Sequence, residues 1–368
     1  MRLLICAGGT GGGVYPALAV HEALVAGHDD LQVLWVGGEG GMEADLIAKA
    51  AIPFEAIPAA GVHGVGLRTL PGNIMQLIRG FFASRKIVRR FHPDVMLFTG
   101  GYVAPPMALA GMRIPSVLYV PDIEPGLALK TLARFADRIA VTAEDSRSYF
   151  PKHKGVVVTG YPTRREILSW DRQQAQKTLN LQSDLPTLLV FGGSKGARSI
   201  NRAIFSVLPE LLSEMQIVHI TGKLNWSEID QVCKGLTPEQ GERFHPYPYL
   251  DDEMGAAFEA ADLVLSRAGA SSLGEFPLFG LPAILVPYPY AWRYQKVNAE
   301  YLAQQGAAVI VNDEELPKRI VPLVIDLMCD TGQLAGMRVA MQSLNKPDAA
   351  LAIGMEIIKV AHTAGSEQ

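Results

Sequence analysis

Leu3-Leu4-Ile5-Cys6-Ala7-Gly8-Gly9-Thr10-Gly11-Gly12 opens the chain, and Leu188-Leu189-Val190-Phe191-Gly192-Gly193-Ser194-Lys195-Gly196 repeats its plan half a chain length later. Each is a short apolar run, a glycine-rich turn and then a helix-like segment, the way a doubly wound α/β domain begins. One glycine turn is a weak signal; two, each heading its own series, argue for two domains of one architecture. In the first series Val33–Val36, Val95–Phe98, Val117–Val120, Ile139–Val141 and Val156–Val158 read as buried strands. Pro16–Leu24, Met42–Ala51, Ile74–Arg90 and Leu127–Ala136 lie between them with helical spacing. In the second, Ile217–Ile220, Leu263–Leu265, Ala283–Val286 and Ala308–Val311 are the strand-like runs. Helical segments Glu315–Met328, Leu334–Leu344 and Ala349–Ala361 end the chain. The expected fold is α/β: two Rossmann-like doubly wound parallel-sheet domains facing a cleft, with ligands at the carboxyl ends of the strands. Residues 1–162 form the first domain and 163–344 the second, with a last helix at 345–362 packing back on the first. Asp171–Leu185 is a polar linker or the second domain's first helix.

Composition narrows the classes. The 368 residues are 49% hydrophobic with a formal charge of −4, an ordinary globular balance without the cationic bias of a nucleic-acid binder. No apolar run approaches the roughly 18 residues that span a bilayer. Met1–Ala7 reads as a strand, not a targeting segment. Cys6, Cys233 and Cys329 lie far apart without a CxxC spacing and read as reduced core residues of a cytoplasmic protein.

The richest motif is Ser266-Arg267-Ala268-Gly269-Ala270-Ser271-Ser272-Leu273-Gly274-Glu275, which leaves a buried strand and opens a helix. Small residues let a ligand approach the backbone, Ser271 and Ser272 can cap the helix, and its first amides and dipole favour phosphate. Glu275, a turn further in, can accept two hydrogen bonds from a ribose diol. The same residues equally describe a capped helix with a surface glutamate. Gly8–Gly13 lacks the Lys-Ser/Thr ending of a P-loop, which leaves a loop whose amides face an anion, or a turn needed only for packing. Gly100-Gly101-Tyr102-Val103 is a second glycine turn after a strand.

Six segments together resemble the MurG family of bacterial N-acetylglucosaminyltransferases: Gly8–Gly12, Gly100–Val103, Gly160-Tyr161-Pro162-Thr163-Arg164-Arg165, Gly192–Arg198, Ser266–Glu275 and Gln295–Asn298. They stand in family order across nearly the whole chain. The resemblance implies a GT-B fold and an inverting, metal-independent transfer with no cofactor. N-acetylglucosamine would pass from UDP-N-acetylglucosamine to undecaprenyl-linked N-acetylmuramyl pentapeptide, giving a β-1,4 linkage. By similarity the donor site takes Arg164, Gly192, Gly193 and Ser194 near the nucleotide and diphosphate, with Leu250 against uracil. Arg267, Gly269, Ala270, Ser271 and Ser272 belong with the phosphates, Glu275 with the ribose, and Gln295 and Asn298 with the sugar. Outside the resemblance, the last two read as an exposed helix face. The acceptor side takes Thr10, Gly11, Gly12, Gly13, Gly100, Gly101 and Tyr102.

That side departs from the family. Gly13 stands where the family's first loop ends in histidine, and Tyr119-Val120-Pro121-Asp122 replaces its His-Glu-Gln-Asn run. A hydroxyl nucleophile benefits from a base, so Asp122 or Glu124 is the candidate catalytic group; the alternative is a pair capping the helix near Gly126. From Ala56 to Pro93 the sequence has no acid, while Arg79, Arg85, Lys86, Arg89 and Arg90 interleave with Ile74, Leu77, Ile78, Phe81 and Phe82. This pattern reads as a helix lying on anionic lipid or as an ordinary core stripe. With a polyprenyl acceptor it places the protein peripherally on the cytoplasmic face of the cell membrane. Two other functions fit the same departures: transfer to a different lipid or soluble acceptor, and a UDP-sugar-binding protein without catalysis.

Overall fold

The computed structural model describes the chain except Thr10, Asp29, Met42, residues 62–65, Leu67, Ser194, Lys195, residues 291–293 and residues 366–368, and gives only the backbone at Ala364 and Gly365. It divides into two compact units, Met1–Arg164 with Pro347–Gln368, and Arg165–Lys346.

In the first unit, strands β1 (Arg2–Cys6), β2 (Gln32–Gly38), β3 (Phe54–Ile57), β4 (Val95–Phe98), β5 (Ser116–Val120), β6 (Arg138–Val141) and β7 (Val156–Val158) form one parallel sheet. Its order is β3-β2-β1-β4-β5-β6-β7. Helices α1 (Gly11–Val25), α2 (Glu43–Lys49), α3 (Leu70–Phe91), α4 (Ala104–Ala110) and α5 (Leu127–Leu132) connect the strands. The central strands are near-continuous apolar runs because a parallel sheet is covered on both faces. The last helix, Ala349–Gly365, packs on α1 and on β4, β5 and β6 of this unit. Ile353 and Ile357 are fully buried there, each contributing roughly 1.5–3 kcal/mol.

In the second unit, β8 (Thr187–Phe191), β9 (Gln216–Ile220), β10 (Phe244–Tyr247), β11 (Leu263–Ser266), β12 (Ala283–Leu285) and β13 (Ala308–Ile310) form a parallel sheet ordered β10-β9-β8-β11-β12-β13. Helix α6 (Arg172–Thr178), capped by Asp171 accepting from the Gln174 amide at 2.9 Å, precedes β8, and α7 (Arg198–Glu214) follows it.

Three sequence expectations change. Edge strands β3 and β10 are additional; Pro246 sits within β10, where an edge tolerates a residue without an amide proton. α1 begins at Gly11, five residues before its expected start, so the glycines after Thr10 form a helical turn rather than a loop; Pro16 within it has no N–H to give the preceding turn. Only Cys6 is buried; Cys233 and Cys329 are exposed, so two of the three are not core residues.

Candidate active site

In each sheet the chain reverses direction of growth once, between β1 and β4 and between β8 and β11. Loops leaving the carboxyl ends of two such strands diverge and leave a crevice. The glycine motifs are those loops.

In the first unit, Gly9, Gly100 and Gly101 have left-handed φ values of +90°, +124° and +87°, which side chains disfavour. A Cβ on Gly101 would come 2.5 Å from the Gly8 carbonyl oxygen, so the two loops are in contact. Gly11, Gly12 and Gly13 form the first turn of α1, and Thr99 Oγ1 donates to the Gly13 carbonyl at 2.7 Å. Tyr102 is exposed beside Gly61. Arg164 lies over the Tyr15 ring, 4.5 Å from its centroid, within this unit. Thr10 lies outside the described residues.

The loop after β5 carries the two carboxylates. Glu124 is buried and ion-paired with Lys130 Nζ at 3.0 Å, whereas Asp122 is half-buried. Thr142 Oγ1 fixes the backbone just before Asp122, contacting the Pro121 and Val120 carbonyls at 2.8 and 3.2 Å and the Tyr119 hydroxyl at 2.9 Å. Tyr119 is fully buried; burial drives its phenol well above the ordinary range, the Thr142 hydrogen bond opposes this and the Asp122 charge adds to it. It stays protonated and offers no base.

In the second unit, Gly192 has no room for a Cβ because Ala197 closes against it, while Gly193, at φ +85°, borders open space, as does Gly269. Ser194 lies outside the described residues. Leu250 is buried beside an exposed Tyr249. The serines do not cap the helix Ser272–Phe279 as expected. Ser271 has helical dihedrals and makes no side-chain cap bond, and Ser272 Oγ instead donates to the Gly269 carbonyl at 2.6 Å. The Ser272 and Leu273 amides turn back on the Gly269 and Ala270 carbonyls at 3.1 Å each. Those amides are therefore occupied, and Gly269, Ala270 and Ser271 become the backbone that can face a phosphate. Glu275 is half-buried in the helix's first turn.

Asn298 and Arg267 are tied into the unit. Asn298 is fully buried rather than on an exposed face, and its Nδ2 donates to the Ala268 carbonyl at 3.2 Å. Gln295 Oε1 accepts from the Tyr288 amide at 2.8 Å. The Arg267 guanidinium donates to the Val286 carbonyl at 3.0 Å and Ser199 Oγ at 2.7 Å, pairs with Asp313, and lies 5.2 Å from the Tyr288 ring centroid. Asp313, Thr142 and Thr99, in loops, and Ser199, in the first turn of α7, escape a sequence reading because isolated hydroxyls and acids carry no periodic signal. Glu43, buried next to the first glycine loop, escapes it too, although the cluster Gly37-Gly38-Glu39-Gly40-Gly41 before it is unusual.

The chain matches the family models of the glycosyltransferase family 28 N-terminal domain over residues 3–141 and of its C-terminal domain over residues 187–352. It is 39% identical over 358 residues to a protein of Desulforamulus reducens, covering 95% of this chain and 96% of that one. It is 40% identical to one of Roseiflexus sp., covering 86% and 84%. Both relatives carry the name UDP-N-acetylglucosamine–N-acetylmuramyl-(pentapeptide) pyrophosphoryl-undecaprenol N-acetylglucosamine transferase. The crystal structure of Acinetobacter baumannii MurG superposes with a TM-score of 0.74 at 24% identity, over 97% of this chain and 99% of that one. A UDP-GlcNAc 2-epimerase from Neisseria meningitidis, bound to UDP-GlcNAc, gives 0.70 at 13%, over 98% and 100%. At those identities the two structures speak to the fold alone.

Proposed function

Since the chain belongs to glycosyltransferase family 28, with both of that family's domains in order, we infer that it is the hexosyltransferase its near-full-length relatives are named for. It moves N-acetylglucosamine from UDP-N-acetylglucosamine to undecaprenyl-linked N-acetylmuramyl pentapeptide in peptidoglycan synthesis. The observation that carries this is the 39% identity over 95% of the chain, which spans both sheets and both pairs of switch-point loops.

The second unit holds the donor. Gly192, Gly193 and the backbone of Gly269–Ser271 face the diphosphate, Leu250 flanks the base and Glu275 takes the ribose hydroxyls. Amides fixed in place before the reaction stabilise the charge that gathers on the departing UDP. Gln295 shapes the sugar end, and Asn298 holds the Ala268 carbonyl under the phosphate loop. The first unit holds the acceptor along Gly11–Gly13, Gly100, Gly101 and Tyr102. Asp122 takes the proton from the attacking hydroxyl as the new bond to the anomeric carbon forms and the bond to the diphosphate oxygen breaks. Glu124, buried against Lys130, steadies that loop.

The chain works at the cytoplasmic face of the cell membrane, with α3 on the anionic lipid surface. Along α3 the inward face is Gly80, Ser84 and Ile87, while Ile74, Ile78 and Phe82, spaced by one turn, are exposed together with Met75. Phe82 is 62% exposed, so these side chains are not the core stripe. Arg79, Arg85, Lys86 and Arg89 are exposed on the same helix, giving apolar insertion and charge attraction together.

The test is transfer of radiolabelled N-acetylglucosamine from UDP-N-acetylglucosamine in detergent micelles. Labelled disaccharide on the undecaprenyl-linked acceptor supports the function. Label only on a soluble or different lipid acceptor, or UDP binding without transfer, contradicts it.

A further inference from the structure

Glu43 opens α2 at 1% exposure, where a carboxylate is rare unless its oxygens are satisfied. Oε1 accepts from the Gly38 amide at 2.8 Å and Oε2 from the Gly9 amide at 3.3 Å. The space for it is made by glycines. A Cβ on Gly8 or Gly41 would overlap the carboxylate, and one on Gly37 would come within 2.8 Å of its Cγ. None of those three has a left-handed φ. Their backbone does not need glycine; the carboxylate beside Gly8 and Gly41 does, and at Gly37 the Glu43 side chain and the Phe54 ring together do.

We propose that Glu43 is a positioning residue for transfer, fixing the first glycine loop by drawing the Gly9 amide inward so that Gly11–Gly13 present a fixed edge to the acceptor. This rests on the reading that the loop holds the acceptor. Gly9, three residues beyond the end of β1 and two before α1, has a left-handed conformation, so the orientation of its peptide bears on how the chain enters α1. Two backbone amides donating to one side chain, those of Gly9 and Gly38, tie that peptide to the end of β2. The carboxylate touches no substrate. It acts through the loop, and a displacement of about 1 Å there can cost about a hundredfold in rate.

Glu43→Gln keeps the volume but turns one acceptor oxygen into an NH2 group facing an amide donor. The expected result is a fall of about 10- to 100-fold in kcat/KM for the acceptor, with donor KM and calorimetric UDP affinity within about twofold of wild type. Gly8→Ala, which presses on the same carboxylate, should give the same split. In the unmutated protein, amide hydrogen exchange should find Gly9 protected relative to Gly11 and Gly12, a readout that needs no variant to fold. Tyr102→Ala separates the two levels. If it impairs acceptor kinetics while Glu43→Gln does not, the role of Glu43 is refuted alone; if neither does, the acceptor reading of the loop fails with it. Fast exchange at Gly9, or loss of UDP affinity in step with acceptor kinetics, also overturns the proposal.

Discussion

Arg267 separates two ways in which a cation can serve a nucleotide site: touching the nucleotide, or holding the loops that do. Its guanidinium reaches Ser199 at the start of α7, Val286 and Tyr288 beyond β12, and Asp313 beyond β13, while Ser199 Oγ also donates to Asp313 at 2.9 Å. Four segments at the carboxyl edge of one sheet meet on one planar fork, which a lysine ammonium cannot span. Breaking a largely buried pair costs about 3–5 kcal/mol, and because Asp313 is 21% exposed the lower end applies, about 3 kcal/mol. For a unit of this size that is a drop of about 6–12 °C in unfolding midpoint. Arg267→Lys and Asp313→Asn should both show it in thermal unfolding of the intact chain, and both should weaken UDP binding about tenfold by calorimetry. The double variant should be little worse than the worse single, because the two act as one unit. The reasoning is refuted if Arg267→Lys abolishes UDP binding at an unchanged midpoint while Asp313→Asn binds normally; the guanidinium would then contact the nucleotide itself.

Asp122→Asn should lower kcat by about two orders of magnitude with donor KM little changed, while Glu124→Gln should lose less than about tenfold in steady-state assays. Changing Ile78 and Phe82 to Ser should release the protein from sedimenting anionic vesicles, and raised salt should weaken wild-type binding; retention of the double variant would count against α3 as the contact. His219 is fully buried and its imidazole is lowered by desolvation from 6.5 to about 3. Within that window the unfolded chain binds a proton that the native one does not, so stability rises with pH there and is lost on acidification. From about pH 7.5 to about pH 5 that loss is on the order of 2 kcal/mol, and His219→Gln should remove it from a series of denaturant titrations.

The fold was legible because its strongest signals were repeated. The runs that became β1, β4, β5, β8 and β11 are apolar on both faces, as only covered parallel strands are, and each glycine turn marked where one ended. β3 and β10 were not legible: Phe54-Glu55-Ala56-Ile57 and Phe244-His245-Pro246-Tyr247 are half-exposed edges without a continuous apolar run. Among the candidate site residues, Gly192, Gly193 and Gly269 were legible as turn positions, since a backbone crowded against a neighbour or left bare at a strand's end leaves glycine in the sequence. What Asn298 and Arg267 do could not be read, since a polar side chain turned toward a ligand and one turned toward a neighbouring carbonyl look alike in one dimension. Glu43 is the same lesson reversed: its glycine cage is visible as composition, but only the geometry shows that the glycines surround a carboxylate.

Calorimetry of UDP with the intact protein, wild type beside Glu275→Ala, probes the donor grip of the second unit. Saturable heat with wild type and at least about a tenfold loss of affinity in the variant is the expected result, since the variant removes the carboxylate proposed as the bidentate hydrogen-bond acceptor for the ribose. No heat with wild type, or equal affinity in both, would contradict the placement of the nucleotide on this sheet's carboxyl edge.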